Sequence, residues 1–203
     1  VTLEPRNAVA WRNLGIAYFN IRHDAVRARA AYDRAFAANP RDARLLYERD
    51  QLHKRAGDSP ETRLRALRRH PLLVQARDDL SVEFCALCNQ TQRPAEALAV
   101  LVSRKFQPWE GGEGQALGQH VRSHLALGQR ALRKSNAAAA VAHFSAALAA
   151  PENLGEANHL LANQSNLHFW LGRALAAIGD ADRARHHWST AAEFKGDFQA
   201  MAV

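Results

Sequence analysis

Most of what would make this sequence easy to classify is missing from it. Its 203 residues contain two cysteines, four lysines, one methionine and 7% aromatic side chains. Two cysteines cannot build the disulfide framework of a small secreted domain, and they fit a reducing cytoplasm. No run of about 18 uncharged apolar residues exists, so no segment reads as a membrane-spanning helix. The N-terminus lacks the basic-then-apolar pattern of a secretory signal. Alternating β-branched runs are absent too, which removes an all-β fold. Charged residues make up 23% and hydrophobic residues 47%, the balance of a folded chain rather than a disordered one.

The net charge is +7, and its distribution is uneven. Residues 1–105 hold 19 Lys and Arg against 12 Asp and Glu, whereas residues 106–203 hold eight of each. A basic surface attracts phosphate through counterion release, so nucleic-acid binding through the first half is one reading. Arginine in place of lysine, together with abundant alanine, is what a GC-rich coding bias produces without selection for binding, and that is the favoured reading of the charge. Aromatic side chains for stacking bases are sparse in the basic half, which ranks this reading third.

What is present is a repeat. Trp11-Arg12-Asn13-Leu14-Gly15-Ile16-Ala17-Tyr18 matches W-x2-L-G-x2-Y, and Ala28, Tyr32, Ala35 and Pro40 follow at the later small, aromatic, small and proline positions. Leu127-Gly128 with Ala140, Phe144, Ala147 and Pro151 repeats the grammar, as does Leu171-Gly172 with Ala184, Trp188 and Ala191. Residues 43–56 with 60–70 and residues 73–90 with 94–105 read as degenerate pairs. These motifs resemble tetratricopeptide repeats (TPRs). The resemblance implies an all-α fold, an α-solenoid of about five antiparallel helical hairpins wound as a right-handed superhelix. One solenoid over residues 1–203 is expected: a regular repeat at 1–41, degenerate repeats at 42–105, a glycine-rich loop at 106–115, a repeat at 116–151, and an extended helix plus final repeat at 152–203. The chain starts at Val1, and Leu3-Glu4-Pro5-Arg6-Asn7 reads like the exit from an earlier repeat, so a fragment of a longer protein is expected.

Two segments break the period. Trp109-Glu110-Gly111-Gly112-Glu113-Gly114 links two helices, and Pro151-Glu152-Asn153-Leu154-Gly155-Glu156 lies in a 44-residue spacing between Gly128 and Gly172, about ten more than one repeat. The loop lacks the Lys and Ser/Thr of a phosphate cradle. Its carboxylates could serve as an acid and base pair, cap the next helix with Trp109 buried, or meet another domain. The two segments, within residues 75–200, resemble the C-terminal repeat region of bacterial proteins carrying domain of unknown function 5107. The upstream sandwich of that family resembles galactose mutarotases. The resemblance implies a helical partner to a carbohydrate-active domain, with Trp109, Glu110, Glu113, Asn153 and Glu156 at the matching positions and His159 just beyond them.

Inner-face positions of the repeats add Arg12, Asn13, Asn166 and Arg173 as binding candidates, by register. Ile16 stands where a carboxylate clamp needs a polar residue, which argues against capture of a peptide C-terminus. Cys85 and Cys88 read as buried small hydrophobes in a helix, His120 and His124 as a helical pair without a third metal ligand, and His186 and His187 as surface residues. No cofactor or metal is expected. The sequence reading is a cytoplasmic, non-catalytic scaffold that holds a peptide, a partner protein or an upstream domain of its own polypeptide. The alternative is an accessory part of a carbohydrate-active enzyme.

Overall fold

The computed structural model describes residues 4–107, 109–158 and 162–193, and these form eleven α-helices, one 3-10 turn and no strand. The chain divides into two compact units, Val1–Thr91 and Gln92–Val203.

The first unit opens with the hairpin of α1 (Ala8–Asn20) and α2 (Ala25–Ala38), each started by a side-chain cap from Asn7 or Asp24. Gly15 on α1 lies under the Tyr32 ring, where an added Cβ would come within 2.6 Å of the ring. Helix α3 (Ala43–Arg55) begins at Asp42 and α4 (Pro60–Leu67) at Ser59, with Pro60 in the first turn, where its missing N–H costs nothing. The helix expected over 73–90 is two: α5 (Pro71–Gln75) and α6 (Asp78–Gln90), parted at Ala76 and Arg77. Extended backbone at Arg77 makes the break, and Asp79 holds the Arg77 guanidinium at 2.6 Å. Cys85 and Cys88 are fully buried on α6.

In place of the aromatic-on-glycine contact, the degenerate part of this unit buries charge. Arg63, 4% exposed, donates from Nε to Asp50 at 3.1 Å and from Nη2 to Glu83 at 2.6 Å. Burial pushes the Asp50 carboxyl up despite Arg63. At Glu83 burial acts the same way, but hydrogen bonds from Arg63 and Lys54 outweigh it and lower the pKa.

The second unit contains α7 (Pro94–Val102), α8 (Gln115–Arg133), α9 (Ala137–Leu148), the 3-10 turn Glu152–Leu154, α10 (Ser165–Ala177) and α11 (Ala181–Glu193). Two hairpins, α8 with α9 and α10 with α11, use the packing seen at Gly15. Phe144 covers Gly128 and Trp188 covers Gly172, each ring 2.5 Å from where a Cβ would stand. Phe144, Leu171, Ala174, Leu175 and Ala184 form the core between them, with Trp170 and Trp188 against it. In place of the extended helix expected after Pro151, the 3-10 turn is followed by irregular backbone at residues 155–158 and 162–164, and α10 starts at Ser165. Gly155 at φ 67° ends the 3-10 turn in a left-handed conformation that does not propagate a helix.

Candidate functional site

The two segments that interrupt the repeats meet in the second unit. Phe106 is buried, and its N–H donates to the Asn153 carbonyl at 2.7 Å. The Asn153 amide donates twice, to the carbonyls of Leu101 and Arg104, both at 2.8 Å. Leu101 lies in the last turn of α7 and Arg104 two residues beyond its end, so Asn153 ties down the C-terminus of the helix and the chain leaving it from about fifty residues away. Leu154, 1% exposed, anchors the turn beside it.

Glu156 does the complementary work at the other side of the loop. Its Oε2 accepts from the Leu117 N–H at 2.7 Å, in the first turn of α8. A carboxylate there satisfies an orphan donor and meets the positive end of the helix dipole. This corrects the expectation that Glu110 or Glu113 caps that helix. Both are exposed, Glu113 accepts only the Gly111 N–H, at 3.3 Å, among the described residues, and the N-cap itself is left-handed Gly114.

The Trp109-to-Gly114 hexad is a folded turn. The Gly112 N–H donates to the Trp109 carbonyl at 2.9 Å, and Gly111 at φ 77° takes the third position of a turn that demands positive φ. Atoms of the Trp109 indole stand where a Cβ on Gly112 would be, and Trp109 is half-buried rather than buried.

Beside this joint, a groove of about 1110 Å³ runs between α8 and the approach to α10. Leu117, Val121 and Leu125 are spaced i, i+4, i+8 along α8 and form an apolar floor that Leu167 of α10 continues. The rim is polar, with Glu113, Arg122, Asn163, Gln164 and Asn166. Arg122, Gln164 and Asn166 make no ion pair or side-chain hydrogen bond among the described residues, so their hydrogen-bonding groups are available. Asn158, also on the rim, is spent on the Leu148 carbonyl at 3.0 Å.

The structure therefore sorts the sequence candidates. Asn153 and Glu156 hold the joint, Trp109 packs on its own loop, Glu110 is exposed, and Glu113 and Asn166 line the groove. Arg173 lies 5.1 Å from the Trp170 ring and does not line the groove. His159 lies outside the described residues. In the first unit Arg12 is not free for a ligand, because both its Nε and Nη2 are held by Glu48, Nη2 at 2.6 Å. Asn13 is exposed beside it, 3.4 Å from its Nη1. Sequence reasoning missed Val121, Arg122 and Gln164. The i, i+4, i+8 stripe on a helix of 19 residues was the signal available.

It also missed a histidine device. His124 and His143 face each other with Nδ1 atoms 3.1 Å apart, and His168 and His187 do the same at 2.9 Å. Each pair holds the same register, four residues before the packing glycine and one before the covering aromatic. His187 is thus an inter-helix partner, not the surface residue expected. Burial first, then the neighbouring His120 and His143, drives His124 down to about 4, and burial lowers His143, His168 and His187 as well. Among the described residues no group of three or more His, Cys, Asp or Glu could hold a metal ion.

No family model matches the chain. Among solved structures it is similar to YrrB, a TPR protein with an unusual peptide-binding site, with a TM-score of 0.62 over 98% of this chain and 91% of that one at 13% identity. It is similar to MamA of AMB-1, with a TM-score of 0.57 over 97% of both chains at 16% identity. MamA from Desulfovibrio magneticus RS-1 gives 0.54 over 96% of both at 14%. At such identities the likeness defines the fold, and the fold is that of a TPR protein.

Proposed function

We propose that this chain is a non-enzymatic interaction scaffold and that the groove along α8 holds an extended segment of a protein partner. The observation that carries the reading is the pairing of a continuous apolar floor, Leu117, Val121, Leu125 and Leu167, with uncommitted amides at Gln164 and Asn166. A side-chain amide offers a donor and an acceptor side by side, as a peptide unit does, so it satisfies an extended backbone whatever its sequence. The apolar floor then selects side chains by size. At about 1110 Å³ the groove exceeds the roughly 300–1,000 Å³ of small-molecule pockets and suits several peptide residues. The peptide-binding site named for YrrB adds support by likeness of fold. The occupant belongs to an upstream domain of the same polypeptide or to a separate protein, and the groove's chemistry is the same for both.

The carbohydrate reading fares worse. It needs two carboxylates in contrasting environments. Glu156 is engaged as a helix cap, while Glu110 and Glu113 stand in solvent.

Val121→Glu puts a charge on the floor, and Asn166→Ala removes a rim amide without touching the core. Selection from a random dodecapeptide library on the wild-type chain should enrich peptides with regularly spaced apolar residues. Fluorescence anisotropy of those peptides should show binding abolished by V121E and weakened by N166A. Peptides that bind V121E as tightly as the wild type would refute the assignment.

A further inference from the structure

Among the described residues four glycines lie inside helices: Gly15 on α1, Gly118 and Gly128 on α8, and Gly172 on α10. Three of them, all buried, are covered by an aromatic ring from the facing helix of their hairpin. A Cβ added to Gly15 would stand 2.6 Å from Tyr32, and one added to Gly128 or Gly172 would stand 2.5 Å from Phe144 or Trp188. The glycine-rich loop repeats the contact, with Trp109 on Gly112.

Gly118 is the exception. A Cβ there would have one neighbour within 4 Å beyond its own helix backbone, Arg122 Nη1 at 3.6 Å, and the residue is only half-buried. Glycine is the poorest helix former after proline, because its backbone has the most freedom to lose. At Gly15, Gly128 and Gly172 the packing of a ring requires it; at Gly118 no ring or facing helix of the described residues takes the space. What Gly118 lines is the groove, between Leu117 and Val121 of the apolar floor. Arg122 is exposed, and its long side chain can swing aside, so it does not close the gap. A helix backbone bare of its Cβ admits a flat ring across the whole of its face, whereas a branched aliphatic side chain touches it at a methyl group.

We propose that the segment held in the groove carries an aromatic residue, and that its ring lies on Gly118 as Tyr32, Phe144 and Trp188 lie on their own glycines. The occupant is an extended segment of a partner protein whose Phe, Tyr or Trp enters beside Leu117 and Val121. This inference rests on the groove reading and adds the class of residue the groove selects.

Dodecapeptides selected from a random library on the wild-type chain should hold Phe, Tyr or Trp at one position, and replacing that residue with Ala should weaken binding about tenfold or more in fluorescence anisotropy. Gly118→Ala puts a Cβ where the ring lies. It should weaken the aromatic peptide about tenfold and leave the Ala-substituted peptide unaffected, so the two changes should not add. Ring current gives a direct readout: the Gly118 Hα resonances should move upfield when the aromatic peptide binds and stay in place with its Ala version. Selected peptides with no aromatic position, G118A binding the aromatic peptide as tightly as the wild type, or unmoved Gly118 Hα resonances would overturn this inference alone, provided V121E still abolishes binding. A library that yields no peptide sensitive to V121E would overturn the groove reading and this inference together.

Discussion

Two glycines on α8, ten residues apart, should respond oppositely to the same substitution. At Gly128 an added Cβ would meet Phe144 at 2.5, 2.7 and 2.8 Å, and Phe144 is fully buried against Leu171 and Leu175, so the ring has little room to retreat. Overpacking of this kind costs about 1–3 kcal/mol. Alanine recovers about 1 kcal/mol of helix propensity, which leaves Gly128→Ala destabilised by about 0–2 kcal/mol, and three contacts under 3.0 Å with a fully buried ring put it in the upper half of that range. At Gly118 the nearest atom is Arg122 Nη1 at 3.6 Å, ordinary contact with a mobile side chain. With no clash to offset it, propensity makes Gly118→Ala more stable by about 0.5–1 kcal/mol. Urea unfolding at fixed m-value measures both. A Gly128→Ala protein as stable as the wild type would refute the argument that the aromatic-on-glycine contact fixes the hairpin.

Three further outcomes follow from the same geometry. Asn153→Ala removes the amide from the carbonyls of Leu101, in the last turn of α7, and of Arg104 just past it, and should cost about 2–4 kcal/mol in urea unfolding, with faster hydrogen exchange at the Phe106 N–H; a loss below about 0.5 kcal/mol would show that solvent replaces the amide freely. Arg63→Met strands Asp50, leaves Glu83 with Lys54, and should cost about 3–5 kcal/mol, whereas adding Asp50→Leu should recover part of it; a single variant of wild-type stability would contradict the buried pair. Because the paired histidines have folded pKa values below the unfolded value of about 6.5, the unfolded chain takes up protons that the native state excludes. Stability is therefore full above about pH 6.5 and falls with acid until His124 protonates at about 4, each half-buried ring contributing less than about 1.4 kcal/mol per pH unit. Urea midpoints at pH 7.5 and 5 should diverge, and His124→Gln with His168→Gln should flatten the difference; an unchanged slope would remove the histidines from the account.

Legibility in the sequence followed the physics of each element. The hairpins were readable because a glycine and an aromatic must recur at nearly the same offset for two helices to approach, and Gly15 with Tyr32, Gly128 with Phe144 and Gly172 with Trp188 do so at 16 or 17 residues. Local caps at Asp24, Asp42 and Asp180 were readable for the same reason: the partner lies within three residues. Asn153 and Glu156 were singled out by resemblance, but their task was not legible, since their partners lie 39 to 52 residues away. The helix expected after Pro151 failed because Gly155 and the backbone contact with Phe106 override local propensity. The groove floor was periodic and could have been read. The histidine pairs have no local signature, because 19 residues separate the partners, and only their shared offsets from the packing glycine and the covering aromatic mark them.

The central claim is that the groove between α8 and α10 binds extended peptide through its amides and apolar floor. The most direct measurement is a ¹H–¹⁵N titration of the chain with a library-selected dodecapeptide. The account predicts shifts confined to Val121, Arg122, Leu125, Gln164, Asn166 and their neighbours, including the side-chain amides of Gln164 and Asn166. Shifts that leave those amides unmoved, or that fall in the first unit instead, would contradict it.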